Sequence, residues 1–213
     1  MSEPGPGSKA DQYARKAAGW TDAEYADAYA YLDHRADLVT SLGVALEPGD
    51  EVLDLACGDG GLGEHLLARG LRYAGVDVEP AMVEAARRRL GDRATVEAGD
   101  LNSFEPPQPV AATTLFRAIY YADDRAAFFA RAAGFTERKL VLDLNPRQYT
   151  PSVVVAELRS AGFRRVELRP FFIPQTRPLP AFASGTLKGL ERTGPLARLA
   201  LRVRFTYLVA AVR

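Results

Sequence analysis

A single cysteine, Cys57, in 213 residues excludes an internal disulfide and any metal site built from several thiolates, and no metal is expected. Histidines are almost as scarce, His34 and His65 only, which leaves few candidates for a general base. No stretch approaches the ~18 consecutive apolar residues of a membrane-spanning helix. Met1–Gly7 is a Pro/Gly/Ser segment without the apolar run of a secretory leader, so a disordered tail over 1–8 and a cytoplasmic location are expected. Net charge is lacking too, with 27 Lys and Arg against 27 Asp and Glu. That leaves no overall field to attract a polyanion. The balance conceals an asymmetry: residues 151–213 hold 11 basic and 3 acidic side chains, and residues 1–150 hold 16 and 24. This is either a surface for anionic ligands or two solvated faces that offset one another, and the second is the simpler reading.

What is present is an alternation. Residues 9–42 predict helix, with Thr21 as N-cap, Asp22 and Glu24 in the first turn, and no breaker before Gly43. After the Pro48-Gly49-Asp50 turn, short apolar runs alternate with helical stretches. Strands are expected at 52–56, 73–78, 94–98, 110–116, 140–144, 163–168 and 205–212. Helices are expected at 61–69, 80–90, 123–133 and 152–161, Pro80 standing at a first helical position and Gly91 just past a last one. Strands joined by helices of this length predict an α/β domain, one doubly wound, mostly parallel sheet of seven strands over residues 9–213. Prolines 170, 174, 178, 180 and 195 keep the stretch 170–203 from forming one long helix.

The first strand runs into Ala56-Cys57-Gly58-Asp59-Gly60-Gly61-Leu62-Gly63. Such a turn lets a ligand approach the backbone at a positive helix N-terminus, at the strand ends where sheet order reverses. Gly58-x-Gly60-x-x-Gly63 satisfies the dinucleotide fingerprint, so a nicotinamide-dependent reductase is one reading. Its followers point elsewhere. Asp77 closes the second strand nineteen residues after Gly58, placed to accept from ribose hydroxyls, and Gly99-Asp100-Leu101 closes the third. Acids at the ends of three successive strands exceed what a dinucleotide requires.

Over residues 50–145 the chain resembles a class I S-adenosylmethionine-dependent methyltransferase of the small-molecule kind. Val52-Leu53-Asp54-Leu55-Ala56-Cys57-Gly58-Asp59-Gly60 resembles the family's first motif, with Ala56 where a glycine is usual. Tyr73–Met82 resembles the second and Gly99-Asp100-Leu101 the third. The resemblance implies a Rossmann-like sheet whose antiparallel last strand lies between strands five and six, an N-terminal helical lid (9–43), and S-adenosyl-L-methionine as cofactor. It places Ala56, Cys57, Gly58 and Gly60 at the methionine end, Asp77 at the ribose, Val78, Met82, Asp100 and Leu101 around the adenine, and Phe116 and Arg117 beside the methyl. Two features depart from the pattern: Pro109-Val110 stand where an acid often opens the fourth strand, and residues 134–139 replace a glycine-rich turn.

A sulfonium methyl is already activated, so positioning and desolvation are the main work, and a base is needed only for an acceptor that must lose a proton. Tyr120, Tyr121 and His34 are the catalytic candidates. His65 reads as a helix-packing residue, and Arg35 as a partner of Asp33 or Asp37 rather than of the cofactor carboxylate. Asn145-Pro146-Arg147-Gln148-Tyr149 faintly resembles an amino-methyltransferase motif but follows the wrong strand. Candidate acceptor contacts are Trp20, Tyr25, Tyr29, Tyr31, Arg117, Tyr120 and Tyr121, with Phe171, Phe172, Arg177, Phe182 and Lys188 from the 170–203 insertion. They suit a specialised metabolite with aromatic and anionic character. Basic residues spaced through Thr186–Val203 leave a lipid or quinone acceptor at a membrane surface as the alternative. A non-catalytic nucleotide-binding module is the third reading. No nucleic-acid partner is expected, and monomer and homodimer both remain open.

Overall fold

The computed structural model describes residues 19–175, 180–191 and 206–213. Seven strands form one sheet: β1 (Glu51–Leu55), β2 (Arg72–Asp77), β3 (Thr95–Ala98), β4 (Val110–Leu115), β5 (Thr136–Leu144), β6 (Arg165–Phe171) and β7 (Thr206–Val212). Their order is β3-β2-β1-β4-β5-β7-β6. Strands β1 to β5 pair in parallel, and β7 runs antiparallel to both β5 and β6. This is the doubly wound sheet that the alternation implies, with the last strand in the expected slot.

The helices are α1 (Trp20–Glu24), α2 (Ala28–Ser41), α3 (Gly61–Leu67), α4 (Pro80–Leu90), α5 (Arg125–Phe135), α6 (Pro151–Ser160) and α7 (Ala181–Glu191). None of them is long and apolar enough to cross a membrane. Alternate strand residues feed two cores. Val52, Val141 and Leu208 pack with Val39 of α2, Leu62 and Leu66 of α3, and Val83 and Leu90 of α4. Leu53, Leu140, Leu142 and Val209 pack on the other face with Phe128 and Phe129 of α5 and Leu158 of α6. The central strands β1 and β4 are buried on both faces and read in the sequence as largely apolar runs, while the edge strands β3 and β6 are partly exposed.

The sheet order reverses between β1 and β4, so connections leave in opposite directions there and a crevice opens beyond the strand ends.

Three sequence expectations are corrected. The N-terminal helix is interrupted within its described part: Tyr25 adopts an extended conformation that ends α1, and Asp27 caps α2 by accepting from the Ala30 amide at 2.9 Å. Asp27 thus takes the cap role expected of Thr21, which lies inside α1. Strand β6 continues to Phe171, three residues beyond its expected end, because it is an edge strand and Pro170 need donate no hydrogen bond outward. The 170–203 stretch also contains a regular helix, α7. The expected tail over 1–8, Arg177, and the basic residues Arg192, Arg198 and Arg202 lie outside the described residues.

Helix α2 ends on a buried cation. Lys139 of β5 is fully buried, and its Nζ donates to the carbonyls of Thr40 (3.2 Å), Leu42 (2.9 Å) and Val44 (2.6 Å). Burial pushes its pKa down to about 7, while the helix C-terminus and three carbonyls favour the ammonium. Lys139→Met strands the Leu42 and Val44 carbonyls, while that of Thr40 keeps the Leu46 amide, and chemical denaturation is expected to show a loss of about 3 kcal/mol.

Candidate functional site

Beyond the ends of β1 to β4 lies a cavity of about 460 Å³. Its floor is the turn after β1. Ala56 sits at φ 60°, Gly58 at φ 58° and Gly60 at φ 77°, so the chain turns sharply and delivers α3 beneath the crevice. The left-handed region costs a residue with a Cβ roughly 1–2 kcal/mol. At Gly58 the positive φ is the reason for glycine, since a Cβ there would meet the Trp20 indole at 3.7 Å, an ordinary contact distance.

Asp77 fastens this turn to β2. The Gly58 amide donates to its Oδ2 at 2.8 Å and the Glu79 amide to its Oδ1 at 3.0 Å. Burial pushes the carboxyl pKa up, opposed by these backbone donors. Beneath it Asp54 accepts from Tyr73 Oη (2.7 Å) and Thr114 Oγ1 (2.6 Å), and burial raises its pKa to about 6. Cys57 packs against Gly75, and burial pushes its thiol well above the usual value, so it offers no thiolate nucleophile.

Helix α1 forms one wall and is pinned at both ends. Thr21 donates to Asp59 through its amide (3.0 Å) and through Oγ1, while Arg89 of α4 holds the same carboxylate at 2.9 Å. At the other end Glu24 pairs with Arg117 at 3.1 Å. Arg117 is the second residue with a side chain in the left-handed region (φ 54°), its amide fixed by Asp143 Oδ1 at 2.8 Å. Facing the cavity from α2 is Arg35, only 2% exposed. Its guanidinium lies 4.4 Å over the Phe116 ring, donates to Tyr31 Oη at 2.8 Å and stands 3.9 Å from Asp143. Its Nε has no hydrogen-bond partner among the described residues.

At the mouth, Val78 is 70% exposed and Tyr120 and Tyr121 about half so, their rings 4.4 Å apart. Asp100 is exposed there and accepts from the Asn102 amide at 2.8 Å.

With this geometry in place, comparison with known proteins becomes decisive. Residues 52–138 match the model of a methyltransferase domain. These residues form a methyltransferase domain. An uncharacterized methyltransferase of Geobacillus sp. (strain WCH70) is 30% identical over 116 residues, 54% of this chain and 52% of that one. Ribosomal RNA small subunit methyltransferase A of Anaeromyxobacter sp. (strain K) is 32% identical over 156 residues, 73% of this chain and 48% of that one. The chain spans about half the length of the curated relatives it matches. In fold, a TehB-like S-adenosylmethionine-dependent methyltransferase from Corynebacterium glutamicum superposes with a TM-score of 0.61 at 16% identity, covering 96% of this chain and 98% of that one.

The methyltransferase domain brings most of the expected cofactor residues together. Ala56, Cys57, Gly58, Asp77, Val78, Met82, Asp100, Leu101, Phe116 and Arg117 all line the cavity, as do Trp20, Tyr25, Tyr120 and Tyr121. Gly60 does not. It faces Ala86 and Leu90 of α4, where a Cβ would crowd the helix.

Several other expectations fail on geometry. His34 is buried in a hydrogen bond with Glu191 at 2.6 Å, tying α2 to α7 away from the cavity. Tyr29 is 73% exposed, on the outer side of α2 beside His65. Phe171 and Phe172 are core residues, the first packed on Tyr31 and His34, the second held by its amide to Glu191 at 2.7 Å. Tyr31 too is buried. Lys188 lies on α7 and does not line the cavity. Arg35 pairs with neither Asp33 nor Asp37, because Arg69 of the α3–β2 connection takes both, at 2.7 and 2.6 Å. Asn145 closes a turn after β5, accepting from the Gln148 and Tyr149 amides, and stands apart from the cavity. Asp59 was missed altogether: its place inside the glycine turn gave no hint that it holds α1.

Ala56 stores strain that glycine relieves. Ala56→Gly is expected to raise stability by about 1 kcal/mol in urea denaturation, the left-handed cost exceeding the added freedom of the unfolded chain.

Proposed function

We propose that the cavity binds S-adenosylmethionine and that the protein transfers its methyl group to a small acceptor with an aromatic or apolar body. The observation that carries this reading is Arg35, a buried guanidinium facing the cavity with its Nε–H unpaired among the described residues. A buried donor without a partner costs about 1–3 kcal/mol. A carboxylate entering at the methionine end removes that cost, and the cofactor's amino-acid moiety carries one.

Other residues fit the same ligand. Asp77 accepts from backbone amides, Gly58 at Oδ2 and Glu79 at Oδ1, with Val78 as a further backbone donor, and of a carboxylate's roughly four acceptor positions this leaves capacity for a ribose hydroxyl. Val78 presents an apolar face to a flat base, and Asp100 beside it is placed to accept from an exocyclic amine. The turn from Ala56 to Gly58 lets the methionine chain lie against backbone.

Bound there, the cofactor supplies an activated sulfonium methyl. The chain's contribution is then positioning and the exclusion of water. Trp20 and Thr21 close over the floor, and Phe116 and Arg117 border the acceptor side. In this reading α1 and the start of α2 make up the described part of the lid expected over 9–43. His34 is committed to Glu191 and Asp54 to Tyr73 and Thr114, so the described side chains favour an acceptor that needs no dedicated base, any proton it loses passing to water. The exposed acids Asp100, in the cavity lining, and Asp123, whose amide donates to Asn102 of that lining, argue against the RNA substrate named for the Anaeromyxobacter relative, since phosphate contacts need cations.

Calorimetric titration with S-adenosylmethionine, S-adenosylhomocysteine and NADH tests the reading. Binding of both adenosyl ligands, weakened about tenfold to a hundredfold in Asp77→Ala and in Arg35→Leu, is expected from the loss of charge-assisted hydrogen bonds. No heat with either, or heat with NADH alone, contradicts it.

A further inference from the structure

The same cavity carries information about the acceptor, and the inference here rests on the cofactor reading above. Among the described residues, its lining holds five acids and two arginines. Both arginines are spoken for. Arg117 pairs with Glu24, and Arg35 lies near Asp143 and faces the cofactor's carboxylate. Of the acids, Asp59 alone is paired with a cation, Arg89 of α4. The cofactor brings one net positive charge, which does not cancel what remains. Among the described residues, an anionic acceptor would therefore enter an acidic site with no cation left to meet it.

The remaining lining is aromatic: Trp20, Tyr25, Phe116, Tyr120 and Tyr121. Tyr120 and Tyr121 line the cavity with their tilted rings 4.4 Å apart, and exposed Asp123 follows on the same segment, its amide donating to Asn102 of the lining. Aromatic faces with a carboxylate close by are the chemistry that receives an ammonium group.

We infer that the methyl acceptor is an amine carried on an aromatic or apolar body, taken up as the ammonium ion between the Tyr120–Tyr121 pair and the acids of the mouth. The lysine and arginines that suggested an anionic acceptor lie on α7 or outside the described residues. For transfer, the ammonium gives a proton to water at the mouth, and the nitrogen lone pair then forms the bond to the methyl carbon as the carbon–sulfur bond breaks. Sulfur leaves as the neutral thioether, and the methylated nitrogen carries the positive charge.

Trp20 is the only tryptophan in the chain and lines the cavity, so its fluorescence reports occupancy directly. Three probes of matched shape, 2-phenylethylamine, 2-phenylethanol and 3-phenylpropionate, are titrated with and without S-adenosylhomocysteine. The amine is expected to bind about tenfold more tightly than the carboxylate and the alcohol, the range of a partly desolvated cation–π contact. Tyr120→Leu and Tyr121→Leu, both at exposed positions, are expected to erase most of that preference. Equal or tighter binding of the carboxylate or alcohol, binding of none of the three, or a preference untouched by both substitutions overturns the proposal. The titrations without S-adenosylhomocysteine read the cavity's own charge selectivity. Failure of the cofactor reading shows separately, as absent heat with the adenosyl ligands.

Discussion

The hydrogen bond from the Gly58 amide to Asp77 joins the ends of two neighbouring strands, and the site is built outward from it. It needs Gly58 in the left-handed region, which needs the sharp exit that Ala56 makes from β1. It also fixes the direction of the Asp77 carboxylate, whose second oxygen is held by the Glu79 amide. A turn held this way cannot relax into the crevice, so the space above it stays open for a ligand. The cost is borne in backbone strain at Ala56 and in the burial of Asp54 and Asp77, and the surrounding sheet is rigid enough to hold both.

Helix α1 depends on that same turn. Asp59, one residue past Gly58, holds Thr21, and Arg89 balances the charge from α4. The far end of α1 is held by Arg117, whose own strained backbone is fixed by Asp143 on β5. The wall over the cavity is therefore fastened to the glycine turn and to the β4–β5 edge through polar contacts and little apolar packing. Such contacts weaken in water more readily than a packed core, which suits a wall that must admit a ligand. Helix α2, which carries Arg35, is anchored quite differently, by Lys139 at its C-terminus and by the His34–Glu191 pair.

Much of this was legible in the sequence. The apolar runs marked the central strands most clearly, since parallel strands covered on both faces have no polar side to confuse the reading. Gly58, Asp77 and Asp100 announced a ligand site because their roles depend on local order along the chain: an acid at a strand end, a glycine at a turn. Arg35, His34 and Phe171 were misread because their roles depend on what folds against them. Arg69 drew Asp33 and Asp37 away from Arg35, Glu191 drew His34 into the core, and the edge position of β6 let Phe171 continue the strand and pack inward. None of these partners is near in sequence. Asp59 was hidden by its own motif, where a polar residue between glycines reads as a turn former.

The most direct test is a crystal structure with S-adenosylhomocysteine. The account predicts the ribose hydroxyls on Asp77, the adenine against Val78 with its amine toward Asp100, and the carboxylate within hydrogen-bond reach of Arg35 Nε, the thioether sulfur pointing toward Phe116 and Arg117. A ligand seated elsewhere, or one whose carboxylate leaves Arg35 unpaired, would contradict it.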